Sequence, residues 1–200
     1  MCGRYYVDQD LPREVAACFG DLTEEFSKKE PGKSWIVKGK TDIHPADIAF
    51  VLREGKGRLA AQPMQWGFPG YENGRLLINA RAETVLEKRT FREDMLHRRC
   101  VIPARGFYEW DKDREAVTFF GGILFLAGCY HRFGERDQFV ILTTRANESV
   151  APVHERMPLI LEKEEVKPWL LRDERVEELL HKKPRDLERS GRYVQMGLFD

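Results

Sequence analysis

Residues 100–110 read CVIPARGFYEW. β-branched Val101 and Ile102 lead the run, and aromatic Phe107, Tyr108 and Trp110 close it, a composition that favours a strand over a helix. The same signature recurs in 48-IAFVLR-53, 58-RLAAQPMQWGF-68, 75-RLLINAR-81, 116-AVTFF-120, 122-GILFLAGCYHRF-133, 138-QFVILTT-144 and 158-PLILE-162. Helical spacing shows in three places only. In 9-QDLPREVAACFG-20, Asp10 reads as the N-cap, Pro12 falls in the first turn, Val15, Ala16 and Phe19 form the apolar face and Gly20 stops the helix. In 90-TFREDMLHRR-99, Thr90 and Glu93 form a capping box. The third lies in 162-EKEEVKPWLLRDERVEELL-180, where Pro168 starts or interrupts a turn. An Asn-Gly pair in 72-ENGR-75 marks a tight turn. Strands and helices do not alternate regularly. The expected fold is therefore α+β, a single domain of mainly antiparallel, curled, barrel-like sheets flanked by short helices. It spans 1–200, with 194–200 as a C-terminal peptide tail and no internal repeat.

A chain of 200 residues is long enough to bury a real core, and 42% hydrophobic against 33% charged residues is an ordinary globular composition. Lys and Arg total 33 and Asp and Glu also 33, so nucleic acid would have to be bound by a local basic cleft rather than a global field. Cys2, Cys18, Cys100 and Cys129 are scattered without a CxxC pair, which argues against both a zinc ribbon and a disulfide framework. No signal peptide or membrane-length apolar run is seen, so the expected location is the cytoplasm, on the nucleoid when bound to DNA. No metal or cofactor is called for.

The chain starts MCGRYY. Methionine is normally trimmed before a small residue, and Cys2 would then carry a free α-amine and a thiol, with ordinary pKa values of about 7.7–8.0 and 8.5. Such a 1,2-aminothiol condenses with an aldehyde, first as a Schiff base and then as a five-membered thiazolidine. With Met1 in place the α-nitrogen is a peptide nitrogen and makes no Schiff base. Three further segments concentrate polar groups beside aromatics at strand ends: 78-INARAE-83, 103-PARGFYEW-110 and 154-HERMP-158. Glu109 is a carboxylate in apolar company, suited to moving protons, or else a solvent-facing strand residue. His154 is an acid or base, or a core histidine; Asn79 orients a substrate hydroxyl, or pins a turn. HERMP is not HExxH, because Pro158 stands where the second histidine would be. Arg4, Arg81 and Arg105 are candidate phosphate ligands, while Trp66, Phe68 and Trp110 are candidates to stack on bases. The plainer alternatives are surface charges and core aromatics, with Cys2 a small apolar residue under a sheet edge.

In this order MCGRY, WGF, INARAET, RRCVIPARGFYEW and HERMP resemble the SRAP family (SOS response-associated peptidase), from residue 1 to about Pro158. Family members guard abasic sites in single-stranded DNA, and the resemblance implies that Cys2 crosslinks the ring-opened aldehyde as a stable thiazolidine. It further implies that Asn79 holds the amino end and the sugar, Glu109 handles protons at the amine, and His154 assists deoxyribose opening, the Schiff-base steps and crosslink reversal. Arg4, Arg81 and Trp66 would line the DNA groove, and Pro45 matches a loop that contacts the cysteine end. Implied partners are single-stranded or junction DNA containing abasic sites. Two rivals stay open. One is a peptidase with Cys2 attacking a peptide carbonyl, either of a substrate or only at its own leading residue, with His154 or Glu109 as base. The other is a non-covalent single-strand binding module. Finally, 195-QMGLFD-200 resembles the sliding-clamp-binding pentapeptide, with Gln195, Met196, Leu198 and Phe199 as contacts; a tail packed on its own domain is the alternative.

Overall fold

A computed structural model describes residues 2–20, 41–70 and 74–191. In chain order its strands are β1 (Tyr5–Val7), β2 (Thr41–Ile43), β3 (Ile48–Gly55), β4 (Arg58–Trp66), β5 (Phe68–Pro69), β6 (Leu76–Leu77), β7 (Asn79–Arg81), β8 (Arg99–Trp110), β9 (Ala116–Phe133), β10 (Arg136–Arg145), β11 (Arg156–Pro158), β12 (Ile160–Leu161) and β13 (Glu188–Ser190). The helices are α1 (Leu11–Phe19), α2 (Arg92–His97), α3 (Lys163–Leu171) and α4 (Val176–Leu180). β9, β10, β4, β3 and β8 lie side by side, and β8 pairs back onto β9, so the sheet closes into a ring of strands. Pairing is antiparallel except where β10 meets β4 and β7. The fold is α+β, with the mostly antiparallel, curled sheet that the strand runs imply.

AVTFF and GILFLAGCYHRF, read apart in the sequence, form one long strand. β9 swells at the glycine pair between them: Ala104 lies opposite Leu124 and Gly106 opposite Phe120. Gly122 takes φ +72° there, a conformation open to glycine, and the bulge bends the strand so the ring can close. Gly106 is needed for space, since a Cβ would stand 2.6 Å from the Tyr6 ring laid across it.

Strand alternation gives the ring two apolar faces. One carries Cys100, Ile102, Leu124, Leu126, Phe139 and Ile141 together with Cys2, Tyr5 and Trp66. The other carries Val101, Phe125, Ala127, Val140 and Leu142 and receives Leu11, Val15 and Phe19 of α1 and Trp169 of α3.

Several local expectations are corrected. Asp10 stands at the N-cap of α1 as expected, but its side chain makes no cap hydrogen bond; Asp8 takes that part, its Oδ1 accepting from the amides of Leu11 at 2.9 Å and Asp10 at 3.1 Å. Gly20 ends that helix as expected, at φ +66°. Thr90 and Glu93 form no capping box, because a preceding turn already supplies acceptors: Phe91 and Arg92 both donate to the Lys88 carbonyl. The capping box belongs to α3, between Glu162 and Glu165, and Pro168 sits inside that helix without ending it. Gly74, in the Asn-Gly turn, has φ +70° and Phe68 pairs with Leu77 across the hairpin, while Glu72 and Asn73 fall outside the described residues.

Arg105 is also corrected. It is not available to a phosphate, because its guanidinium forks onto both carboxylates of Asp8 (2.7 and 3.1 Å) and Glu14 (2.8 and 2.7 Å). Burial works against ionisation of Asp8, yet the Arg105 fork and the capped amides hold its carboxyl below the usual range. The clasp docks α1 on β8. Carboxylates with lowered pKa contribute stability above their unfolded values near pH 4 and lose it as pH falls through the folded ones. Arg105→Ala is expected to lower the thermal midpoint by a few degrees at neutral pH, with the difference from the wild type shrinking below about pH 4. Melting curves at the two pH values check it.

Candidate functional site

β1 pairs with β8 so that Tyr5 faces Phe107, and the Arg4 carbonyl accepts the Tyr108 amide at 3.0 Å. Extended by two residues from Tyr5, that antiparallel register sets Gly3 opposite Glu109, with Cys2 next in the chain and close enough for the charge of Glu109 to act on its thiol. Alternation along β8 turns Tyr108 and Trp110 to one side and Glu109 to the other, where it is 1% exposed. Cys2 is fully buried, and its Sγ leans toward the Arg4 carbonyl at 3.7 Å. Asn79 opens β7, whose parallel register on β10 sets it beside Ile141, and its Nδ2 donates to the Cys2 carbonyl at 2.9 Å. Asn79 Oδ1 is buried without a hydrogen-bond partner among the described residues, an acceptor in reserve beside the cysteine.

His154 lies in the turn before β11. The Arg156 amide is 3.0 Å from its Nδ1, and an amide N–H can only donate, so in the neutral ring Nδ1 holds the lone pair and Nε2 the proton. The Arg156 carbonyl, 3.1 Å from the same nitrogen, can accept from the protonated ring. Both charge states therefore find a partner on one residue. Burial raises the Glu109 carboxyl above the ordinary range, opposed by the positive charge of the chain's amino end and of His154. Burial also pushes the Cys2 thiol far up, and the charge of Glu109 pushes the same way. Cys2, Asn79, Glu109 and His154, far apart in sequence, thus form one linked cluster, with Cys2 and Glu109 buried and Asn79 and His154 half-buried.

Around it the structure adds residues that the sequence reading missed. Arg156, of HERMP, forks onto Glu83, of INARAE, at 2.7 and 2.8 Å and also donates to the Thr143 carbonyl at 2.6 Å, tying two motifs together. Arg4 lies over the rings of Tyr108 (4.9 Å) and Trp110 (5.1 Å) and reaches Asp42 at 3.4 Å; the Tyr108 hydroxyl donates to Asp42 at 2.8 Å. Trp110 is half-buried and Arg81 exposed. Trp66 is corrected: it is fully buried between Tyr5 and Phe139 and cannot stack on a base. Its role is support. Its carbonyl accepts from Ala46 and its amide donates to Asp47, each at 2.9 Å, which holds the Pro45–Asp47 turn with Ala46 at φ +74°. Antiparallel pairing of β2 with β1 directs that turn toward Cys2. Phe68 is likewise buried, against Phe91 and Phe133.

A closed ring of strands with the chain's second residue, a cysteine, buried beside a carboxylate, an amide and an imidazole defines an α+β domain whose amino-terminal end is its candidate site. The family model described as "SOS response associated peptidase (SRAP)" matches residues 1–192, and the chain belongs to that family. Curated relatives include the abasic site processing protein YoqW of Bacillus phage SPbeta, 30% identical over 194 residues (85% of this chain, 80% of that protein). Another is the abasic site processing protein YedK of Escherichia coli, 29% identical over 181 residues (85% and 79%). Among solved structures, a Bacteroides thetaiotaomicron protein superposes with a TM-score of 0.75 at 22% identity, covering 95% of this chain and 91% of its own, and so shares the fold. Among the described residues no helix is long and apolar enough to cross a membrane. The clamp-like peptide 195–200 lies outside the described residues.

Proposed function

We propose that this protein processes abasic sites in single-stranded DNA, capturing the lesion covalently on Cys2 once Met1 has been removed. The observation that carries the reading is the Asn79 hydrogen bond to the Cys2 carbonyl, which fixes the amino-terminal residue beside the buried carboxylate of Glu109. The names of the relatives, abasic site processing proteins, support it.

The chemistry follows from the groups present. An abasic deoxyribose is mostly a closed hemiacetal; His154 in its protonated form, Nδ1–H on the Arg156 carbonyl, gives its Nε2 proton to the ring oxygen while the C1′ hydroxyl proton passes to water, and the aldehyde forms. Glu109 as carboxylate takes a proton from the α-ammonium of Cys2. The freed amine attacks C1′, water leaves and an imine results. The thiol then adds across the imine carbon and its proton passes to the nitrogen, closing the thiazolidine with a net loss of one water. Because burial keeps the Cys2 sulfur protonated, amine attack comes first and sulfur addition second. The same protonated thiol disfavours a peptidase that starts from thiolate attack. Arg4, Arg81 and Trp110 border the site for the phosphates and bases of the strand, and no step needs a metal or cofactor.

The test is denaturing mass spectrometry of protein mixed with an oligonucleotide carrying one abasic site. A species equal to methionine-free protein plus oligonucleotide minus one water, absent with intact DNA, supports the reading; a methionine-free sample that gives no adduct overturns it. Asn79→Ala removes one hydrogen bond at the reacting end, worth about 1–1.5 kcal/mol, and is expected to slow adduct formation roughly 10-fold without lowering its final yield. Quenched time courses separate rate from yield.

A further inference from the structure

Arg145 ends β10 and is exposed, its side chain making no hydrogen bond or ion pair among the described residues. Register shows what it belongs to. β7 runs parallel to β10 with Asn79 beside Ile141 and Arg81 beside Thr143, so the next rung on that face is Arg145. Ile141 packs in the same apolar cluster as Cys2, and Arg156 crosses to the Thr143 hydroxyl at 3.3 Å from the other side. One face of β10 therefore climbs from the buried cysteine through Thr143 to an exposed guanidinium. At about 3.3 Å per residue, Arg145 stands about 13 Å beyond the Asn79 rung and about 7 Å beyond that of Arg81.

Charge makes the arrangement unusual. β11 pairs with β10 so that Arg145 lies directly opposite Arg156, and like charges facing each other across strands are unfavourable. Arg156 is neutralised by its fork onto Glu83, whose carboxyl that fork holds below the usual range despite partial burial. Among the described residues no carboxylate forks onto Arg145. Together Arg81 and Arg145 present two cations in line, spaced along the strand that leads away from Cys2.

We propose that Arg145 is a further phosphate contact: it holds a phosphodiester of the single strand beyond the one at Arg81, on the side of the lesion that runs out along β10. The proposal rests on the reading of the protein as a single-strand abasic-site binder. A contact of this kind carries no sequence information and positions the strand so that the abasic sugar stops over Cys2. For single strands each phosphate contact contributes about −0.7 to the slope of log K against log salt.

The experiment is a salt titration of binding to an abasic-free single-stranded oligonucleotide by fluorescence anisotropy, with covalent capture of the abasic version measured alongside. Arg145→Gln is expected to weaken binding about 5- to 10-fold at low salt and to flatten the slope by about 0.7, while Arg145→Lys keeps the slope. Arg136→Gln, an exposed position at the opposite end of β10, leaves both unchanged. If Arg145→Gln matches the wild type in affinity and slope while the wild type binds and captures DNA, this proposal alone is overturned. If the wild type neither binds nor captures, the functional reading falls and the phosphate contact with it.

Discussion

Cys2→Ala is expected to abolish the adduct that survives denaturation, taking it from near-complete to undetectable, and to leave retention of the DNA under native conditions close to that of the wild type. The reason lies in the division of labour at one residue. Alanine at position 2 still permits methionine removal and still offers an α-amine, so the imine forms, but no sulfur closes the ring and the imine hydrolyses. Borohydride added during the reaction should therefore trap the variant on abasic DNA, whereas the wild type should need no trapping. The asymmetry is sharper than simple loss of activity, because a misfolded variant would give neither product. A stable adduct from Cys2→Ala would remove Cys2 from the chemistry. Equal native retention combined with no adduct from either protein would leave the non-covalent binding module standing.

Glu109→Gln is expected to slow capture by about 10²- to 10⁴-fold, the usual contribution of a positioned proton acceptor, with native DNA binding preserved. Gln has the same shape and cannot accept the ammonium proton. Because burial raises the Glu109 carboxyl above the ordinary range, the wild-type rate should climb with pH as the carboxylate forms. That limb is absent in the variant. Stability moves the opposite way: a carboxyl raised by folding contributes stability below its unfolded value near 4, and the contribution is lost as pH rises through the folded value. At neutral pH Glu109→Gln should therefore melt a few degrees above the wild type and converge with it in acid. Single-turnover gel assays and melting curves across about pH 5 to 9 test both halves. A variant that captures DNA at the wild-type rate, or melts lower at neutral pH, would place the proton acceptor elsewhere.

Reading the strands from composition works here because β-branched and aromatic runs are bounded by glycine and charge; the segment 100–110 is β8 to within a residue. Cys2, Asn79, Glu109 and His154 are brought together as their motifs suggest. What failed to show in the sequence depends on register or on partners far along the chain. A tryptophan ending a strand looks the same whether it faces solvent or Phe139, and only the pairing of β4 with β10 buries Trp66. Arg105 reads as a cation for DNA until folding brings it two carboxylates from 91 and 97 residues away. Glu83 and Arg156, 73 residues apart, lie inside motifs already noted, yet neither motif announces the other. Capping shows a smaller gap: the N-cap position of α1 is legible in Asp10, but which carboxylate accepts the first amides depends on backbone geometry, and Asp8 does.

All three residues of β1 pair with β2, and Tyr5 and Tyr6 pair with β8 as well. Under the proposed chemistry a captured DNA strand is fastened to the residue just ahead of that strand, so chain end and attachment point coincide. Any motor hauling on the DNA then pulls the protein by its own tip, and the load meets the short β1 ladders before it reaches the ring. Mechanically the protein is tethered like a thread with a loose end, built to peel from residue 2 inward rather than to rupture across its core. The bond to the lesion can thus outlast the fold that made it.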